Sequence, residues 1–188
     1  MLKIVPPEGS WPSEFHDIAV SLRRVLGDLA LRIDHIGSTA IAGLPAKDVI
    51  DIQVTVASLS RAVIAALTAA GYAQPKGVWR DHRPPGSTGP DSDWAKLVFM
   101  PPHGQRRTNL HVREDGRPNQ RYPLLFRDYV RAHPATAQAY AELKLQLTQH
   151  VADVQAYNEV KDPAVDLIYL AAEDWAGETH WQPGPSDA

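Results

Sequence analysis

Cysteine is absent from the 188 residues. Its absence excludes disulfides and thiolate metal sites, and it fits a cytoplasmic location. No apolar run approaches the ~20 residues a membrane span needs, and the opening Met1-Leu-Lys-Ile-Val-Pro-Pro-Glu8 lacks the apolar core of a signal peptide. No membrane partner is expected. Neither charge sign dominates. The net charge of −3 gives no overall attraction for nucleic acid. The basic clusters Arg106-Arg107 and Arg127…Arg131 are short, and the first reads as solvated surface charge. His35, His82, His103 and His111 show no ligand spacing such as His-x-x-x-His, so each reads as a surface or hydrogen-bonding residue. There is no internal repeat and no low-complexity tract. What remains is a chain with 44% apolar residues, enough for a sizeable core in one domain spanning 1–188.

Apolar spacing sets the organisation. Phe15, Ile18, Ala19, Leu22, Val25, Leu26 and Leu29 recur at three- and four-residue steps, which predicts a helix from Ser13 to about Ala30 with Ser13 as its cap. Leu31–Ile36 and the β-branched run Val49–Val56 read as strands. Ser58 or Ser60 caps a second helix that Gly71 stops. Trp94–Met100 and Thr108–Val112 read as a hairpin across Pro101–Arg107. Residues 74–93 form a Pro- and Gly-rich loop, carrying Trp79 near one end, and are expected to act as a mobile lid. From Leu124 the pattern is helical: Leu124–His133, Ala135 to about Val151, then Asp162 or Pro163 to Ala176, with a polar tail expected to fray. The fold class is α+β, with a sheet core over about 13–114 and a helical layer over about 124–176.

Strand alternation locates the chemistry. Val49, Asp51, Gln53 and Thr55 share one face of their strand; Ile50, Ile52, Val54 and Val56 share the other. Lys96, and on the next strand Asn109, His111 and Arg113, fall on the polar side by the same rule. The apolar face should pack on the first two helices. The other face is either a binding groove closed by the C-terminal helices or a half-solvated surface. Asp51 and His111 are expected to line one cleft there. Arg127 and Arg131 lie one helical turn apart, as do Tyr140 and Lys144, and all could complete such a groove. An Arg127/Arg131 edge suits bidentate phosphate binding, but an ion pair with Asp128 or Glu142 explains it equally well.

The stretch His35–Val54 carries the strongest signal. Gly37 permits a tight turn and close approach of a ligand. Ser38 and Thr39 add hydroxyls beside exposed N–H groups, the makings of a phosphate cradle. Asp51 follows on a strand that should otherwise be buried.

These residues carry a resemblance. His35-Ile-Gly-Ser-Thr-Ala40, Gly43-Leu-Pro-Ala-Lys47, Ile50-Asp-Ile52, Asn109-Leu-His-Val112, Phe126-Arg-Asp-Tyr-Val-Arg-Ala-His-Pro134 and Tyr140-Ala-Glu-Leu-Lys144 resemble, in order, the signature of the GrpB family. The resemblance covers roughly residues 10–176. It implies a mixed sheet of the polymerase-β-type nucleotidyltransferase kind. Members of the family also occur fused after dephospho-coenzyme A kinase; this sequence contains no Gly-x-x-x-x-Gly-Lys-[Ser/Thr] phosphate loop. By resemblance, Gly37 and Ser38 would hold phosphate and Asp51 would be the first of the carboxylates that bind Mg²⁺. Gln53 stands where the second carboxylate belongs, and an amide is a poor Mg²⁺ ligand. Three readings stay open. The first is binding of a nucleotide or other phosphorylated small molecule by Gly37, Ser38, Thr39, Lys47, Gln53, Asn109, Arg113, Arg127, Arg131 and Lys144. The second is a metal-dependent nucleotidyltransferase using Asp51, with Lys96 or His111 stabilising charge. The third is a non-catalytic scaffold or accessory domain.

Overall fold

The computed structural model describes residues 3–76, 80–151 and 153–188. Helix α1 (Trp11–Leu26) starts two residues before the predicted Ser13: Pro12 fits its first turn, where a missing N–H costs nothing, and Ser13 Oγ donates to the Ser10 carbonyl instead of capping. Its buried face is Trp11, Phe15, Ala19, Leu22 and Leu26, and Gly27, at φ 51°, ends it. Strands β1 (Ala30–Ile36) and β2 (Ile50–Val56) are followed by α2 (Arg61–Ala69), whose cap Ser60 accepts the Val63 N–H. Strands β3 (Leu97–Phe99) and β4 (Thr108–Glu114) complete one mixed sheet in the order β1-β2-β4-β3, with β2 and β4 parallel and both outer pairs antiparallel. The α+β class and the Pro101–Arg107 hairpin are as the sequence predicts. Strand β3 is shorter than expected: Trp94 lies in a 3₁₀ turn, Asp91–Trp94, before the sheet begins. Ala73 adds only an isolated bridge to Met100.

The two sheet faces divide as alternation requires. Ile50, Ile52, Val54 and Val56 pack with Leu110, Val112, Phe99 and Ile33 against α1 and α2. Leu31 is a bulge residue, since Ala30 pairs with Val56 and Arg32 with Thr55. Beyond it His35 falls opposite Ile52, on the apolar face, where its ring stacks on Phe15 at 4.7 Å and its Nε2 bonds Thr39 Oγ1 at 2.9 Å.

The polar face is enclosed. Helix α3 (Pro118–Ala132) lies over it: Gln53 Nε2 donates to the Gln120 carbonyl at 2.9 Å, and Gln120 Nε2 reaches Thr55 Oγ1 at 3.4 Å. Helices α4 (Pro134–His150) and α5 (Val154–Thr179) complete the layer. Both α3 and α5 begin well before their predicted starts, because Pro123 and Pro163 sit inside them. Packing of Leu125 on Tyr169, Ala172 and Ala176 outweighs the local breaker.

The C-terminal tail is held along the free edge of β1, which corrects the expectation that it frays. The Ala188 N–H donates to the Ile33 carbonyl, the Ile33 N–H to Ser186 Oγ and the His35 N–H to Asp187 Oδ2. An uncovered strand edge would leave these groups unpaired. The loop before β3 is pinned too: Arg80 bridges Ala95, and Asp81 reaches Lys96 and Arg113. Trp79, named above as part of a lid, lies outside the described residues.

Burial, then the Arg131 and Arg127 charges, lower the His35 pKa to about 4, against the opposing pull of Asp187. The unfolded chain therefore binds this proton below pH 6.5 while the folded chain does so only near 4. Stability is kept above 6.5 and lost as pH falls through that window, by about 3 kcal/mol for this group. Urea unfolding at pH 7 and pH 4.5 should show the loss, and His35→Phe should remove His35's share while leaving that of the buried His111.

Candidate functional site

The turn after β1 and the start of β2 meet in the space of one side chain. Gly37 adopts φ 70° and ψ −169°, and a Cβ there would lie 3.0 Å from Asp51 Cβ and 3.1 Å from its Cγ, against the carboxylate. Only glycine permits that approach and that φ. The register that pairs Ile36 with Asp51, and Asp51 with Asn109, fixes the geometry. Asn109 Nδ2 donates to Asp51 Oδ1 at 2.7 Å. Ser38–Ala40 forms a single 3₁₀ turn beside them.

Three lysines approach this turn, two from the helical layer and one, Lys47, from the loop that leads into β2. Lys144 of α4, only 2% exposed, donates to Ser38 Oγ at 2.9 Å and to the Pro45 carbonyl at 2.6 Å, with its ammonium 4.7 Å from the Tyr140 ring centre. Lys47 lies 4.6 Å from the Tyr157 ring centre. Lys161 of α5 pairs with Asp162 at 3.1 Å. Among the described residues neither Lys47 nor Lys144 has a carboxylate within ion-pair distance. Together with Gly37, Ser38, Asp51, Asn109, Tyr157 and Asn158 they wall a cavity of about 230 Å³.

Burial dominates the electrostatics. It lowers the Lys144 pKa to about 7, helped by the Lys161 charge, and lowers that of Lys47. Burial raises the Asp51 pKa, with the Asn109 hydrogen bond and the Lys161, Lys47 and Arg113 charges only partly opposing it.

The rest of the polar face serves a different purpose. Arg113 donates to Gln53 Oε1 at 2.8 Å and grips Asp81 through Nε and Nη2, both at 2.8 Å; Lys96 reaches the same carboxylate at 2.6 Å, and Asn119 at 3.1 Å. Burial alone would raise the Asp81 pKa, but Arg113 and Lys96 hold it well below the carboxylate range. Lys96, Gln53 and Arg113 therefore belong to a closed ion network. His111 shares the face with Asp51, as alternation requires, but not its cavity, which corrects the expectation of one shared cleft. Burial, with Arg113 and Lys96, pushes it well below the usual imidazole range and keeps it neutral. Arg127 and Arg131 lie outside this cavity and are bonded elsewhere. Arg127 bonds Asp128, Asp187 and the His35 carbonyl, and Arg131 caps the Ala40 carbonyl. The Thr39 hydroxyl is taken by His35 and the Val49 carbonyl.

Of the residues the sequence singles out, the cavity thus gathers Gly37, Ser38, Lys47, Asp51, Asn109 and Lys144, with Thr39 as wall. Asp81 escaped the sequence reading because strand alternation says nothing about a loop residue. Tyr157 and Asn158 carry no such signal either, because Asp162 or Pro163 reads as the helix start and leaves them in a connector. A larger groove of about 980 Å³ runs past Trp11, Ile41, Leu44 and Val130, but the Arg131 on its wall is already bound to backbone.

The donor set does not fit a pair of Mg²⁺ ions. Asp51 has an amide neighbour, Gln53 is buried and bonded at both ends of its amide, and lysines occupy the surroundings. Among the described residues no group of three or more His, Asp or Glu side chains stands ready for a metal.

Comparisons place the chain. The GrpB protein family model matches residues 1–170. A dephospho-CoA kinase of Mycolicibacterium paratuberculosis is 38% identical over 97% of this chain and 48% of its own length; the chain thus spans about half of that relative. A UPF0157 protein of Halalkalibacterium halodurans is 34% identical over 86% of this chain and 77% of its own. The crystal structure of the conserved protein GrpB from Enterococcus faecalis superposes with a TM-score of 0.71 at 26% identity, over 92% of this chain and 99% of that one. The fold, a mixed four-stranded sheet under a helical layer, is that of the Enterococcus faecalis structure. The chain belongs to the GrpB family. No helix among the described residues is long and apolar enough to cross a membrane.

Gly37→Ala should displace Asp51 and cost at least the ~1–2 kcal/mol of a left-handed non-glycine residue. Thermal unfolding would measure it, and the Asp51–Asn109 bond should break with it; an unchanged melting temperature would contradict the packing described here.

Proposed function

We propose that the chain binds a phosphorylated small molecule or nucleotide, with its phosphate on the Gly37–Ser38 turn. One observation carries the reading: Lys144 is buried beside Ser38 with no carboxylate partner among the described residues. A buried ammonium is costly unless paired. An anion in the cavity would supply the pair, and the turn's first N–H groups and the Ser38 hydroxyl would add donors. Lys47 and Lys161 line the same cavity. The dephospho-CoA kinase name of the mycobacterial relative, whose length this chain half spans, is consistent with phosphate chemistry near this domain without assigning that activity to it.

The transferase reading requires carboxylates to hold metal ions, and Gln53 is committed to Arg113 and Gln120. The expected outcome is binding without nucleotidyl transfer. A panel of phosphates and nucleotides read by thermal shift tests it, since ligand at ~100 times Kd adds about 2.7 kcal/mol. Lys144→Met should abolish the shift, and a label-transfer assay with Mg²⁺ should stay at background. Mg²⁺-dependent transfer lost in Asp51→Asn would establish the enzyme instead.

Lys144 gives the site a pH dependence. Its folded pKa, about 7, lies below the ordinary 10.5, so in the free site Lys144 is charged below 7 and neutral above. An anion binds the charged form and takes up a proton where the free lysine is neutral. Sulfate, which does not titrate here, should therefore bind more weakly as pH rises from 6 to 9. Calorimetry in two buffers of different ionisation enthalpy should show the proton uptake at pH 8, and Lys144→Met should remove it.

A further inference from the structure

The geometry points to a narrower ligand class: a phosphate monoester dianion that carries a nearby hydroxyl, taken up without a divalent metal. This rests on the phosphate-binding reading above and deepens it. Three features of the cavity carry it.

The first is charge. Lys47 and Lys144 have no carboxylate partner among the described residues, Lys161 is shared with Asp162, and the opposing group is the single carboxyl of Asp51. A monoester carries about −1.5 to −2 charge near neutrality. With Asp51 ionised, the two uncompensated ammoniums and a third shared with Asp162 leave a net charge of about +1, which a monoester offsets and a triphosphate far exceeds. A triphosphate brings more negative charge than these lysines balance and would need its metal, for which the donor set is wrong.

The second is size. About 230 Å³ falls below the ~300–1,000 Å³ of pockets that enclose drug-sized ligands. It suits a phosphate with a short polyol attached.

The third is Asp51 itself. A carboxylate in a phosphate site repels the phosphate unless it serves another part of the ligand. Asn109 occupies Oδ1 at 2.7 Å, which fixes the group's orientation, and the same carboxyl group borders the cavity. As an acceptor it would take the hydroxyl of a ligand whose phosphate lies on Ser38 and Lys144. Asp51 would then select among phosphates by its hydroxyl contact.

Isothermal titration with inorganic phosphate, ribose 5-phosphate and ATP, each with Mg²⁺ and with EDTA, tests this. Ribose 5-phosphate should bind at least tenfold more tightly than inorganic phosphate and more tightly than ATP, with Kd unchanged within twofold by Mg²⁺ or EDTA. Asp51→Asn, which keeps the side-chain shape, should leave inorganic phosphate binding equal or tighter and bring the two affinities within twofold of each other. Lys144→Met should lose both. If ATP with Mg²⁺ binds best and EDTA weakens it, the metal-free monoester assignment is overturned while phosphate binding stands. The assignment also falls if ribose 5-phosphate and inorganic phosphate bind equally to the unaltered protein. If none of the three binds, the phosphate-binding reading itself falls.

Discussion

The placement of one ammonium organises the candidate site. Lys144 reaches from the middle of α4 to the turn that follows β1, and there it meets a hydroxyl and a carbonyl but, among the described residues, no opposite charge. Neutral oxygens satisfy its donors without cancelling its charge, so its pKa falls and the half-open cavity beside it favours an anion. The turn has to pass this close to β2 for the arrangement to exist. Gly37 permits that by leaving room for Asp51, and the β1–β2 register brings the two together. The helical layer packs to hold α4 in place, with Phe126, Val130 and Tyr140 against Ile41 and Leu44.

The sheet's polar face is therefore two environments. Around Asp81, charges of both signs close on one another: Arg113, Lys96 and Asn119 saturate the carboxylate, and Gln53 joins the network to α3. Breaking such a buried network by removing one partner leaves an uncompensated charge. Around Lys144 the charges do not close. The balanced cluster is fit to hold the loop before β3 onto the sheet; the unbalanced one is fit to bind. Both clusters contain lysine, a carboxylate and an amide, but the first adds Arg113 and closes on its own carboxylate, whereas the second gathers three lysines around Asp51.

Much of this was legible from the chain. The alternation of Asp51 and Gln53 with Ile50, Ile52 and Val54 gave the two faces, and Gly37-Ser38 marked the turn. Lys144 appeared as one of several basic residues one helical turn from another group. What could not be read was which cations find partners. Arg127 and Lys144 look alike in sequence, yet one meets Asp187 from the tail, more than fifty residues away, and the other meets Ser38. Tertiary contacts of that range have no local signature. The early starts of α3 and α5 are hidden for a related reason: Pro123 and Pro163 argue locally against a helix there, and long-range packing of α3 on α5 overrides them. Asp81 lay in a segment whose composition suggests mobility, and its two cationic partners sit on β3's approach and β4.

The central claim is that Lys144 is a buried cation without a carboxylate partner among the described residues, whose charge completes on anion binding. The most direct measurement is a pH titration of the Lys144 side chain by carbon-13 NMR, resolved by comparison with Lys144→Met, in the presence and absence of saturating sulfate. The expected result is a midpoint near 7 in the free protein, rising by more than one unit when sulfate binds. A midpoint near 10.5 that sulfate does not move would contradict the account.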